Sequence, residues 1–134
     1  MNPSTQIMTK FYQELGKLFF AIAYADKKVH PAEVEMLNKI VKENWLPLED
    51  TVDRFGTDTA FQIETVFDWL VEQDFVPYDC FEEFKSFKKE HPSLFTDEVR
   101  QLIWNTADRI ASAFAAKNKS ELVALSRLRS LLLS

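Results

Sequence analysis

The sequence contains little glycine and almost no cysteine, and both shortages limit the kinds of protein that it can encode. It has two glycines and five prolines in 134 residues, too few for the many turns of an all-β fold. Because Cys80 is the single cysteine, no intrachain disulfide can form, and a reducing compartment is expected. We therefore predict a helical, cytoplasmic protein.

Long hydrophobic runs are also missing from the sequence. The longest one, from Leu18 to Ala25, is far too short to span a bilayer. The N-terminal region lacks the basic, apolar and small-residue zones of a signal peptide. We therefore expect no membrane insertion.

Positive charge is scarce in the middle of the chain. The formal net charge is −5, and residues 47–99 carry 4 Lys and Arg against 14 Asp and Glu. Nucleic acid is not an expected partner, because phosphate binding needs a concentrated basic surface. The acidic region could attract a basic protein or divalent cations, or it could be an ordinary solvated surface.

Hydrophobic residues are plentiful, at 46% of the chain with twelve Phe, which is enough for the core of one domain over residues 1–134. Apolar residues recur at helical spacing from Ser4 or Thr5 to Ala25 and cover most of that helix, as is typical of a central helix. The predicted fold is all-α, a compact bundle of six or seven helices with the first and fifth long helices in the centre. The later helices are predicted over about 31–45, 48–55, 59–73, 77–90, 97–117 and 120–133.

The segment from Ile22 to Leu37 looks more like a functional site than any other part of the chain. It joins the end of the apolar first helix to an amphipathic second helix that begins at Pro31. Asp26 and His30 lie in the connecting turn, and Glu33 follows in the first turn of the second helix.

A weaker copy of this segment lies 88 positions further along the chain. Ile110–Leu125 repeats the pattern of Ile22–Leu37, and Glu121 takes the place of Glu33. Both copies predict a helix that ends in small residues, a turn, and a helix with Glu near its start. The repeat indicates a pseudo-twofold bundle with a degenerate helix-turn-helix repeat.

Ile22-Ala23-Tyr24-Ala25-Asp26, with Glu33 seven positions later, resembles the TerB-like family (tellurite-resistance protein B and relatives). The resemblance implies a bacterial, all-helical domain associated with tellurite and other stress resistance. It also implies that acids of the two motifs converge on a divalent-metal site, to which Asp26, Glu33 and Glu121 correspond. The chain departs from the family pattern twice, because Lys27 replaces a glycine and Phe114 replaces the second aspartate.

The predicted metal ligands are Asp26, Glu33, Glu121 and, as an optional fourth, His30. Carboxylates favour Ca²⁺ or Mg²⁺ over Zn²⁺, whereas a histidine ligand would favour a transition metal. The alternative is that these side chains only stabilise helix ends. Glu33 is placed to form a capping box, and Asp26 can accept hydrogen bonds from the amides of its own turn.

No group of residues predicts a catalytic site. Cys80 falls on a phenylalanine-rich inner face, where an inert buried thiol is expected, and the sequence has no glycine-rich phosphate loop. The acidic row Glu64, Asp68 and Glu72 is interpreted as a solvated helix face. The tryptophans lie at the edges of the apolar faces and either pack in the core or mark a partner surface; they are Trp45, Trp69 and Trp104.

Two hypotheses for function therefore stay open. The first is a non-enzymatic, stress-associated binding module with a divalent-metal site between the two helix-turn-helix motifs. The second is a metal-free protein-interaction adaptor whose motif acids only cap helices. Its protein partner would dock on the acidic middle third or on exposed aromatic residues.

Overall fold

The predicted all-α fold is confirmed. The structure, a computed structural model, describes residues 5–47, 59–73, 79–113 and 119–133. Within these ranges it contains six α-helices and no strand. The helices are α1 (Thr5–Ala23), α2 (Pro31–Ile40), α3 (Gln62–Glu72), α4 (Cys80–Glu90), α5 (Asp97–Ser112) and α6 (Lys119–Leu133). The predicted helix over 48–55 and the start predicted at Pro77 lie outside the described residues.

Helix α1 lies at the centre of the bundle, as its apolar surface predicts. It packs against α3, α4, α5 and α6. Helix α5 contacts α1, α2 and α6, so the fifth helix is also an interior element. The α1 side chains that are buried in the core are Phe11, Tyr12, Leu15, Leu18, Phe19, Phe20, Ala21, Ile22 and Ala23.

Gly16 allows α1 and α3 to approach each other closely. A Cβ atom at this position would lie 2.8 Å from the backbone oxygen of Ile63 and 3.0 Å from Cβ of Val66. Gly16 therefore permits close helix packing for a steric reason.

The C-terminal end of α2 is fixed to α5 by a buried tryptophan. Past Ile40 the helix continues as a π-helical turn over Val41–Trp45. The Trp45 indole donates a hydrogen bond to Thr106 Oγ1 over 3.1 Å. Trp45 is therefore a core residue, whereas Trp69 is 57% exposed and Trp104 is half-buried.

The turn after α1 adopts a strained backbone conformation. A 3-10 turn over Tyr24–Asp26 ends at Lys27, whose φ of 68° and ψ of 17° are left-handed. Lys27 is the one non-glycine residue with positive φ in the described ranges. It occupies the position where the TerB-like pattern has glycine, and a side chain in this region of φ and ψ is strained.

Helix α4 confirms the predicted inner face, because Cys80, Phe81, Phe84 and Phe87 are all buried. Thr96 caps the start of α5, since the amide of Val99 donates to Thr96 Oγ1 over 3.2 Å. Among the helices that the structure describes, none is long and apolar enough to cross a membrane.

Candidate functional site

Three carboxylate side chains are buried in the described part of the chain, and two of them belong to the motifs found in the sequence. Glu33 is 1% exposed, Glu121 is 5% exposed and Glu14 is 6% exposed. Buried carboxylates are uncommon, because removing a charge from water is costly unless the charge is paired. These three positions are therefore the strongest candidates for functional groups.

Glu33 is held by the start of its own helix. Pro31 occupies the first helical position, and His30 is the N-cap with an extended backbone. The Glu33 Oε1 atom accepts a hydrogen bond from the backbone amide of His30 over 2.7 Å. This contact is the glutamate half of a capping box. One of the two Glu33 oxygens is thus engaged in helix capping, as the alternative hypothesis predicted.

Glu121 takes the corresponding place in the second motif. It is buried in the first turn of α6, and α6 contacts the turn Tyr24–Asp26. The second motif therefore packs beside the turn that contains Asp26. The backbone of Asp26 lies in that 3-10 turn, while its side chain lies outside the described part of the structure.

The predicted metal ligands do not gather into a recognisable set where the structure describes them. No group of three or more His, Cys, Asp or Glu side chains among the described residues is arranged to hold a metal ion. His30 is half-buried at the N-cap of α2. The ligand set Asp26, Glu33, Glu121 and His30 therefore stays a prediction.

The third buried acid, Glu14, was not identified from the sequence. Lys17 Nζ lies 3.8 Å from Glu14 Oε1 and 3.0 Å from Glu83 Oε2 on α4. The Glu14 Oε2 atom is buried and has no hydrogen-bond partner in the described structure. These groups line an open groove of about 570 Å³ between α1 and α4.

Burial and neighbouring charges shift the pKa values of Glu14, Cys80 and Lys17 at this groove. Burial raises the pKa of Glu14, the Lys17 ammonium partly offsets this, and the nearby Glu83 charge adds to it. Burial, followed by Glu83, also raises the pKa of the Cys80 thiol to about 11. For Lys17, burial lowers the pKa, but the hydrogen bond to Glu83 and the Glu14 charge outweigh burial, so the pKa is raised.

The sequence contains a signal that could have identified Glu14. Helix α1 is apolar over most of its surface, so its narrow polar face is enclosed as soon as another helix packs beside it. That face consists of Lys10, Gln13, Glu14 and Lys17. The sequence does not show that α4 is the neighbouring helix, and this contact is what buries Glu14.

A second acidic surface lies on α3, where the exposed face combines carboxylates with an aromatic side chain. Thr65, Asp68, Trp69 and Glu72 are exposed, whereas Glu64 is half-buried. Burial, and then the Glu72 charge, raises the pKa of Asp68. Burial also raises the pKa of Glu64, with a partial offset from Lys42. The predicted solvated acidic row is thus exposed at two of its three positions.

Comparisons with known proteins give no relative from which a function could be transferred. No protein-family model, curated protein or solved structure matches this chain. The resemblance of the Ile22–Glu33 segment to the TerB-like family therefore stays a prediction from the sequence.

Proposed function

We propose that this chain is a non-catalytic protein-interaction module with a basic protein partner. The observation that carries this proposal is the exposed α3 face, where Trp69 is 57% exposed beside Asp68 and Glu72. Tryptophan is among the residues that contribute most to binding energy at protein interfaces. On this face it lies next to two exposed carboxylates.

The chemistry of this face favours a partner that carries arginine or lysine. Arginine can stack its guanidinium group on an indole ring and also pair with a carboxylate. Asp68 and Glu72 are one helical turn apart, and Trp69 lies beside Asp68, so a single basic segment could contact all three. Charge complementarity of this kind increases the association rate and discriminates against acidic partners.

The capping contact of Glu33 supports the adaptor hypothesis over the metal-binding one. Glu33 Oε1 is bonded to the amide of His30, and this role requires no cation. One oxygen of the motif acid therefore has a role in helix stability, and the exposed surfaces are the better candidates for the function.

Selection from a library of short random peptides tests the proposal without assuming a partner. We expect the peptides retained by the folded chain to be rich in arginine and lysine. Their binding should be lost in Trp69→Ala and retained in Val123→Ala, because Val123 is an equally exposed apolar side chain, 62% exposed on α6. Peptides without a basic bias, or binding unaffected by Trp69→Ala, would refute the proposal.

A divalent-cation module with the stress association of the TerB-like family is the second candidate, favoured by the burial of both Glu33 and Glu121. Thermal unfolding of chelator-treated protein, titrated with Ca²⁺, Mg²⁺, Mn²⁺ and Zn²⁺, separates the two candidates. A cation at about a hundred times its Kd would stabilise the fold by about 2.7 kcal/mol. The adaptor proposal predicts no shift, and it predicts that Glu33→Gln destabilises the fold equally with and without cations.

A further inference from the structure

Glu14 is a buried carboxylate that the chain itself does not fully satisfy. Its Oε2 atom has no hydrogen-bond partner among the described residues, and the residue is only 6% exposed. Lys17 Nζ lies 3.8 Å from the other oxygen, Oε1, which is too long for a hydrogen bond. A buried charge that lacks part of its hydrogen bonds lowers the stability of the fold, so the presence of Glu14 requires an explanation other than packing.

The surroundings of Glu14 are arranged around a positive charge. Glu14 on α1 and Glu83 on α4 approach the same Lys17 ammonium, at 3.8 and 3.0 Å. The described lining of the groove has five carboxylates against two lysines, so negative charge remains in excess after Lys17 is counted. The five carboxylates belong to Glu14, Asp79, Glu82, Glu83 and Glu90.

We propose that this groove binds an arginine side chain of the basic partner, with Glu14 and Glu83 as the two anchoring carboxylates. The proposal rests on the proposed function, because it assigns a second contact to the same partner. The groove volume of about 570 Å³ is within the range of sites that enclose small ligands and is ample for one side chain.

Arginine fits the groove better than lysine does. The guanidinium group is planar and carries five N–H donors, so it can bond two carboxylates at once. The ammonium group of Lys17 bonds Glu83 and leaves Glu14 Oε2 unbonded. The Lys17 side chain is 35% exposed, so it can turn toward solvent when an arginine enters between the two acids.

A binding role for Glu14 makes a different prediction about stability than a structural role does. Glu14→Gln removes the buried charge, while Lys17 keeps its hydrogen bond to Glu83 and is not left buried without a counter-charge. We therefore expect the unfolding midpoint of Glu14→Gln to equal or exceed that of the unsubstituted chain, whereas its affinity for arginine falls.

Titration of the isotope-labelled full chain with a short arginine-rich peptide, and with a lysine peptide of equal length and charge, tests the proposal by NMR. We expect amide shifts on α1 and α4 in addition to those around Trp69 on α3, and we expect the arginine peptide to bind more tightly. Glu14→Gln should weaken arginine binding about tenfold, the loss expected for one charge-assisted hydrogen bond. Glu35→Gln is the matched control, since it removes one exposed charge from α2 and should leave affinity unchanged.

Three results would overturn the groove proposal. The first is equal affinity for the two peptides. The second is a Glu14→Gln variant that is less stable but binds arginine as tightly as the unsubstituted chain. The third is a set of amide shifts confined to α3 around Trp69. The last result would leave the proposed function standing, because it would place the basic segment on the α3 face alone. If binding of the selected peptides does not depend on Trp69, in contrast, the proposed function is refuted. Amide shifts on α1 and α4 would then still report whether the groove binds arginine.

Discussion

Individual residues of this chain show where local backbone chemistry conflicts with the fold. Lys27 is the clearest case, because its φ of 68° places an ordinary side chain in the left-handed region. Its amide donates to the carbonyl of Tyr24 over 2.7 Å, which fixes the conformation that ends the first helix. The family pattern to which this turn is similar has glycine there, and the chain carries the strain instead.

Replacing Lys27 with glycine should stabilise the protein. A non-glycine residue in the left-handed region costs about 1–2 kcal/mol. Glycine relieves this strain, but its greater conformational freedom in the unfolded chain cancels part of the stabilisation. We expect the free energy of unfolding to rise by about 0.5–1 kcal/mol in urea titrations. Lys27→Ala is the control, because it removes the same charge and keeps the Cβ atom. Equal stabilisation by both variants would contradict a backbone cause.

Cys80 should be chemically inert in the folded protein. Its side chain is 2% exposed, and its pKa is raised from 9.0 to about 11 by burial and the charge of Glu83. At mildly alkaline pH the thiolate fraction is therefore about a hundredfold below that of an unshifted thiol, and the thiolate is the reactive form. Labelling with a disulfide reagent should be slow in buffer and fast in denaturant. Rapid labelling of the folded chain would show that the thiol is accessible.

At the scale of elements, α1 determines the layout of the described bundle. Its sequence predicts the central position correctly, because apolar residues cover most of its surface. The same composition does not reveal that Glu14 is buried, since a narrow polar face can either be exposed to solvent or be enclosed in a groove by another helix. The contact with α4 decides between these two arrangements. It includes the pair Lys17 and Glu83, which are 66 positions apart in the sequence.

The crossing of α1 and α3 depends on Gly16. Alanine is the better helix former by about 1 kcal/mol, but its Cβ atom would lie 2.8 Å from the Ile63 oxygen. Because that oxygen belongs to backbone, relief requires α3 to move, and overpacking of this kind costs about 1–3 kcal/mol. After the gain in helix propensity is subtracted, we expect Gly16→Ala to lower the free energy of unfolding by up to about 2 kcal/mol, measured in urea.

Gln6→Ala on the exposed face of α1 is the control for this experiment, and it should change stability by less than about 0.5 kcal/mol. A more stable Gly16→Ala variant would mean that α1 and α3 separate without cost.

The motif acids show why a fold can be predicted from sequence more completely than a site. Glu33 and Glu121 were identified from their place in a repeated helix-turn-helix pattern, and both are buried. Their place in that pattern follows from helical periodicity, which is a local property. Whether such carboxylates cap helices or share a cation depends on distances between elements, and the bond from His30 to Glu33 is visible only in three dimensions.

For the whole molecule, excess negative charge is the property that would link stability to the proposed function. The chain carries a net charge of −5, and two acidic surfaces contain the carboxylates whose pKa is raised, namely Glu14, Glu64 and Asp68. In all three the largest cause is burial. The proposed basic partner would relieve part of this cost, so the acidity that weakens the free protein would strengthen the complex.

This charge distribution predicts that mild acidification stabilises the free protein. A carboxylate whose pKa is higher in the folded than in the unfolded state binds more protons when folded, at any pH between the two values. For Glu14 the destabilisation is therefore complete above the folded pKa, decreases as the pH falls through it, and disappears below the unfolded value of 4.5. Urea unfolding at about pH 7 and about pH 5 should show the rise. Glu14→Gln should reduce this rise in the free energy of unfolding, and Glu35→Gln should not. An equal rise in the unsubstituted chain and in both variants would exclude Glu14 as the source of the rise.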